Sequence, residues 1–468
     1  MKSVVCLLID RLHIGFLGAY GNAEIETPAI NRLAAESLTV DRFYVDALDV
    51  GESCRSWWFG THALCREEIP NNPSQSFISQ LNANGYKTAI LTDDLNVAYS
   101  VYADDFSEMQ LLPVIKNHAP CQSIEQTHSF SMFTAIADTA KMLADSEKPY
   151  FLWCRLRGFA ENWDVPMVYR EKYCGRGDPF PYNQTPPPFL TKNDKCQDEI
   201  QWDDQRQSVA AAYAGGVTML DELMESLTEM LRAGDFGDET LFLFAGTSGI
   251  LLGEENCIGI PPKKWRQNQT SAYANDAEQS TIFNDEPLVS ALIQTPLMIR
   301  FPNQFAAAVR TDALLQPGDI TQLLREWLDK TELFSTPKIL SLIGEETDLW
   351  RDCLLVVADA ESYEEQYCFV TPSWLLRKKF HFPCESTTNE TSILSENPNG
   401  NDYALFVKPD DRWDVNDVAD RCGEIVGQLL DVKKQLQKQL LSSNIVLGIS
   451  PSVLPMEPLP KILRERYR

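Results

Sequence analysis

The stretch VVCLLIDRLHIGFLGAYGN, residues 4–22, decides the fold. Its six leading apolar residues are too few for an ordinary helix, and with no polar position among them they predict a strand buried on both faces. The run ends in Asp10 and Arg11, and GAYGN at 18–22 predicts a turn. Thr27 and Pro28 then supply a cap and a first-turn proline for a helix carrying Ile30, Leu33 and Ala34. Further apolar runs at 88–91, 150–156 (YFLWCRL), 240–245 (TLFLFA) and 296–299 (PLMI) predict four more strands. A long helix with Val209, Tyr213, Val217, Leu220, Leu223, Leu227 and Leu231 on one face separates the run at 150 from that at 240. Such alternation predicts an α/β fold, a mostly parallel sheet sandwiched by helices.

Outward from this frame the pattern breaks twice. Residues 158–206 and 254–287 are polar and without period, which predicts irregular loops of the kind that wall a pocket. Near 345 short runs at 354–357, 367–370, 374–380 and 405–407 follow one another. A helix from 415 to about 441 comes next, with Val418, Cys422, Ile425, Leu429, Val432 and Leu436 inward. Strands followed by a helix predict a smaller α+β domain, an antiparallel sheet with one packed helix. The division is therefore 1–345 and 346–468, in keeping with a length at which single cores stop growing.

A net charge of −26 argues against nucleic acid or an anionic membrane as partner. No apolar run approaches the roughly 20 residues of a membrane span, and residues 4–9 are shorter than a signal core. Twelve cysteines without a C-x-x-C in a large, unsignalled chain predict reduced thiols and a cytoplasmic setting, and give structural zinc no support.

Residues 4–22 resemble the opening of the sulfatases, in the alkaline-phosphatase-like superfamily, whose pattern is I-L-x-D-D-L…L-G-x-Y-G-N. Gly60, Gly85-Tyr86-Lys87-Thr88, Leu252-Gly253-Glu254 and Thr295-Pro296-Leu297 follow in family order. The resemblance covers nearly the whole chain. It implies the sulfatase fold with its minor C-terminal domain, and a hydrolase of sulfuric esters working with a divalent cation. Ligands in such sheets gather beyond the carboxyl ends of the strands, so four places can be compared with the family's chemistry.

At the first, the family has two adjacent acids that bind the cation. Here Asp10 keeps a vestigial ligand, but Arg11 brings positive charge to the second ligand's position. At the second, DVGESCRSWWFG (49–60) resembles the stretch C-x-P-S-R-x-S-L-L-T-G. The family's nucleophilic cysteine falls on Val50 and its arginine on Cys54 or, with the register moved by one residue, on Gly51 and Arg55. Cys54 lacks the frame for conversion to formylglycine and reads as a half-buried thiol. At the third, RGFAENWDVP resembles D-P-H-x-P-W-x-P, and the family histidine falls on Ala160. At the fourth, Thr247 and Ser248 replace the Asp and His of S-D-H-G-x-x-L-G-E. Family lysines fall on Ile260 and Asp93, and a family histidine on Leu95.

These replacements predict a sulfatase-like protein impaired in the family reaction, a pseudoenzyme acting as a binding or regulatory subunit with no cofactor. Its ligand would be a sulfated or phosphorylated small molecule or sugar, or a protein partner. An anion could rest on Arg11 and Arg55 at the start of a helix beginning after Gly51; alternatively these arginines simply pair with Asp10, Asp49 or Glu52. The rival reading is an active sulfate- or phosphate-ester hydrolase with a rebuilt site. Ser53, Thr61 or Ser248 would then give a hydroxyl, Asp10, Asp93 and Asp94 would regroup around Ca or Mg, and His13 or His62 would be the base.

Overall fold

The computed structural model describes residues 2–65, 76–115, 117, 119–146, 148–185, 187–192, 199–260, 264–266, 281–283, 286–328, 351–379 and 402–442. An eight-stranded sheet forms the centre. Its order is Val309–Thr311, Leu38–Val40, Leu297–Arg300, Thr240–Gly246, Ser3–Ile9, Tyr150–Leu156, Lys87–Thr92 and Glu108–Leu111. Only Leu297–Arg300 runs against the others.

The strand Ser3–Ile9 shows why its apolar run is continuous. Val5, Leu7 and Ile9 enter one core with the helices Pro28–Ala35, His128–Ala144 and Glu199–Ala233. Val4, Cys6 and Leu8 enter a second core with Trp57, Trp58, Leu323 and Leu324 of the helices Val50–Phe59 and Pro317–Leu328. Each fully buried aliphatic side chain contributes about 1.5–3 kcal/mol. The mostly parallel, helix-sandwiched sheet expected from the sequence is thus present.

All five strands read from the sequence for this sheet are present to within a residue or so, and three of its eight were missed. Leu38–Val40 and Val309–Thr311 have 3 residues each, and the outermost strand, Glu108–Leu111, has only 4 and is exposed. Runs that short carry no periodic signal. Thr27 precedes its helix, but its hydroxyl accepts from Gly18 N (2.9 Å) instead of capping. The Asp221 carboxylate takes the helix N–H groups of Ala29 and Ile30 at 3.0 and 2.8 Å.

The expected loop 158–206 is only partly irregular. It contains the short helices Gly158–Ala160, Met167–Arg170 and Glu171–Tyr173 and the strand Phe189–Thr191, and the long helix already begins at Glu199. Trp202, 5 % exposed, anchors those charged first turns. Within 254–287 the strand Cys257–Gly259 and the pair Lys264–Arg266 with Thr281–Phe283 are ordered elements.

In the second domain Leu354–Val357, Tyr367–Val370, Trp374–Lys378 and Tyr403–Val407 form an antiparallel sheet in that order, packed by the helix Gly423–Ser442. The helix starts eight residues later than Val415, which is 75 % exposed. Asp411 explains the delay: its carboxylate accepts from Val415 N and Asn416 N, a local alternative to helical bonding. The expected boundary at 345/346 and the strand end at Phe380 lie outside the described residues.

Candidate functional site

Four parallel strands, Thr240–Gly246, Ser3–Ile9, Tyr150–Leu156 and Lys87–Thr92, end side by side on one edge of the sheet. Backbone bonding continues past their ends. Asp10 N donates to Leu156 O (2.9 Å), Thr247 N to Ile9 O (3.0 Å) and Phe159 N to Asp10 O (3.2 Å). Close approach is possible because Gly158 has φ +50° and no side chain; a Cβ there would lie 2.7 Å from Asp10 O. Arg11 also adopts a positive φ of 59°, and the Tyr213 hydroxyl fixes this turn by donating to Arg11 O (2.7 Å) and accepting from His13 N (2.8 Å).

Asp10 is buried at the centre of these ends. Its Oδ1 accepts from Ser248 Oγ (2.5 Å), Thr247 Oγ1 (3.0 Å) and Arg11 N (3.0 Å). Its Oδ2 lies 3.6 Å from Arg155 Nη2, and Arg155 Nη1 donates to Asp94 Oδ2 at 2.8 Å. Burial would raise the Asp10 pKa, but the charges of Arg155 and Arg11 and the two hydroxyls hold it below the usual carboxylate range. Arg155 is 2 % exposed, and despite burial its carboxylate partners keep it protonated.

Next to this cluster, Asp93 Oδ2 lies 3.0 Å from His128 Nε2, and its Oδ1 accepts from Arg157 N at 2.7 Å. Asp164 accepts from His128 N and Asn117 Nδ2, both at 2.8 Å.

The helix Val50–Phe59 starts two residues earlier than expected, at Val50, with the Asp49 carboxylate accepting from Glu52 N. Its N-terminus faces the second domain, where Glu52 Oε2 accepts from Ala360 N (2.8 Å). Burial, then the neighbouring Asp49 charge, pushes Glu52 up to about 8. Cys54, 2 % exposed, lies on this helix under the influence of Arg155, and burial outweighs that cation to push its thiol up to about 12. It is a protonated thiol at neutral pH.

Arg11 and Arg55, the expected anion-binding pair, have other partners. Arg11 makes a two-pronged ion pair with Glu286 at 2.5 and 2.7 Å, and Arg55 donates to the carbonyls of Ala63 and of Cys65, the latter at 2.6 Å. The described ion pairs include none from either arginine to Asp10, Asp49 or Glu52, the alternative partners. Ala160 closes the turn Gly158–Ala160. His62 is kept neutral, foremost by burial, with Nε2 bonded to Leu355 O (2.9 Å). His13 Nδ1 accepts from Gly15 N (2.9 Å). Among the described residues no hydrogen bond connects Ser53 or Thr61 to Asp10, and the Thr61 hydroxyl is buried without a partner. Gly249, kept from the family pattern, is a packing residue: a Cβ there would meet Ala291 O at 1.8 Å.

Sequence reasoning missed Arg155, Glu286, His128 and Asp164. Arg155 had a readable signal. It is the one charge in YFLWCRL, and a charge in a strand buried on both faces requires a partner. Nothing in the sequence points to Glu286 or His128.

The family model described as Sulfatase matches residues 2–331. The chain belongs to the sulfatase family. Solved structures similar to this sulfatase-family chain include the phosphonate monoester hydrolase of Agrobacterium radiobacter, at 14% identity and TM-score 0.62, covering 93% of this chain and 95% of that one. The phosphonate monoester hydrolase from Silicibacter pomeroyi has 14% identity and TM-score 0.63, covering 96% and 97%. A third, solved in complex with its substrate D-glucosamine-2-N,6-O-disulfate, has 14% identity and TM-score 0.62, covering 95% and 98%. At these identities the likeness concerns the fold. No curated protein matches the chain.

Proposed function

We propose that this protein is a non-catalytic member of the sulfatase family, a binding or regulatory subunit in which a buried arginine takes over the electrostatic role of the metal. The observation that carries this reading is Arg155, placed between Asp10 at 3.6 Å and Asp94 at 2.8 Å. A divalent cation needs about six or more oxygen ligands, several of them anionic. The groups around Asp10 are two hydroxyls and a guanidinium, which do not fit that demand. No step of ester hydrolysis is therefore assigned to a metal.

The attacking group is also wanting. Val50 and Ala160 have no functional atom, and the Cys54 thiol is protonated. The rebuilt hydrolase is disfavoured because Asp93 and Asp94 are held by His128 and Arg155, not turned to one common point.

A sulfated or phosphorylated sugar is the ligand class suggested by the relative solved with a glucosamine disulfate. Arg11 and Arg55 add little to it, since Glu286 and two carbonyls occupy their donors. No disulfide joins any two of the described cysteines, which is in keeping with a reducing, cytoplasmic setting, and no helix among the described residues is long and apolar enough to cross a membrane.

Elemental analysis and turnover assays test the reading together. The expected outcome is less than one tightly bound divalent ion per chain, and no hydrolysis of an aryl sulfate or bis-aryl phosphate with added Mn²⁺ or Ca²⁺. One ion per chain, with turnover abolished by Asp10→Ala, would overturn it.

A further inference from the structure

A cleft of about 420 Å³ opens where the two domains meet, within the size range of small-molecule sites. Its walls are Tyr20, Asp41, Arg42 and Tyr44 of the first domain and Ser373, Lys408 and Arg412 of the second, with Asp312 on the rim. It lies on the same edge of the sheet as Asp10 but three strands away, about 14 Å at ordinary strand spacing. It is therefore separate from the cluster already described.

The charges lining this cleft do not all cancel. Asp41 is paired with Arg310. Lys408 is paired with Asp414 at 2.6 Å and also donates to Ser290 Oγ and to the carbonyls of Asp411 and Arg412. Arg42 donates through Nη2 to the carbonyls of Thr371 (3.2 Å) and Pro372 (2.9 Å), and its guanidinium also bonds the Tyr44 side chain. Arg412 donates through Nη1 to Tyr20 O (2.7 Å) and lies over the Trp413 ring at 4.7 Å. Among the described residues neither arginine has a carboxylate within ion-pair distance, in a chain whose net charge is −26.

Two guanidinium groups, each held in place by carbonyls and each keeping N–H donors for the cleft, suit an oxyanion. A guanidinium fork meets carboxylate, phosphate or sulfate oxygens in pairs, and in a confined site such bonds are about twice as strong as neutral ones. Tyr20 and Tyr44, 5 % and 1 % exposed, are aromatic residues fixed in the wall of the cleft. Backbone carbonyls position the two arginines from opposite domains, so a ligand bridging them ties the domains together.

We infer that this cleft is a binding site for a small organic oxyanion, gripped by Arg42 of the first domain and Arg412 of the second. The inference is independent of whether the Asp10 cluster catalyses anything.

Calorimetry on the full chain tests it with phthalate, citrate, glucose 6-phosphate, inorganic phosphate and sulfate as probes. At least one organic probe is expected to bind with Kd below about 1 mM and more tightly than the inorganic ions, the margin reporting the aromatic walls. Which probe binds tells carboxylate from phosphate. Arg412→Gln should weaken that binding about tenfold or more. Asp312→Asn, on the exposed rim, should tighten it about two- to fivefold. Ser248→Ala, at the Asp10 cluster, should leave it unchanged. Arg42→Gln also releases two carbonyls at the seam, so its result counts only with native circular dichroism; Arg412→Gln and Asp312→Asn keep the test valid if it unfolds. No binding by any probe at 10 mM, or binding that Arg412→Gln leaves intact, would overturn the inference.

Discussion

The strand ends around Asp10 and the cleft at the domain seam sit on one edge of one sheet, yet they treat charge in opposite ways. Around Asp10 every cation faces an anion of the chain itself: Arg155 between Asp10 and Asp94, Arg11 on Glu286. At the seam Arg42 and Arg412 are held by carbonyls and by the aromatic side chains of Tyr44 and Trp413, with no ion-pairing carboxylate among the described residues. Burial makes an unmatched charge costly, so a closed cluster has to neutralise itself from within. An open cleft can leave charge to be met by a ligand. The difference teaches that the place where a family signature falls and the place best equipped to bind need not coincide.

Removing Arg155 should produce the largest effect. Arg155→Met leaves Asp10 and Asp94 buried without their cation and should cost about 3–5 kcal/mol, read as a lower urea midpoint. Adding Asp10→Asn and Asp94→Asn to that variant should restore most of the loss; failure to do so would mean that Arg155 acts by packing, and the contrast in charge would collapse.

A smaller effect, with a defined pH signature, is expected at Glu52, where the first domain touches Ala360 of the second. Its folded-state pKa of about 8 lies above the unfolded value near 4.3. Its contribution to stability is thus complete below about pH 4.3 and is lost as the pH rises towards 8. Glu52→Gln, able to accept the same Ala360 N–H, should match the parent near pH 4 and exceed it by about 2 kcal/mol at pH 8.5. Denaturation at the two pH values checks this, and equal stability at both would remove the claim of a protonated seam carboxyl.

The seam arginine should matter little to the fold. Arg412→Gln loses the bond to Tyr20 O and the contact over the Trp413 ring, and should cost about 1–2 kcal/mol. A cost like that of Arg155→Met would turn Arg412 into a structural residue and blunt the contrast. Smallest of all, Asp312→Asn should shift stability by less than about 0.5 kcal/mol, within the spread of thermal-melt replicates.

Much of this molecule was readable in one dimension. The unbroken apolar run before Asp10, the spacing from Val209 to Leu231 and the change of pattern near 345 gave the strand, the long helix and the second domain, because burial imposes its periodicity directly on sequence. Residues lacking that periodicity escaped: three short strands, the charged first turns at Glu199, and the delayed start of the last helix at Gly423. At the site, the local motifs pointed to Asp10 and to Ser248, which bonds it, whereas Arg155, its ion-pair partner, was not read.

The sequence by itself therefore determined the fold and pointed to the strand ends as the place to compare with the family's chemistry. Only the tertiary structure decided what stands there instead, since Arg155 meets Asp10 through a parallel pairing across about 145 residues and Glu286 reaches Arg11 across 275. It alone also brought Arg42 and Arg412 to the walls of one cleft. The physical reason is that burial repeats with the turn of a helix or the pleat of a strand, while a charge pair has no period and is fixed only when distant chain segments come together.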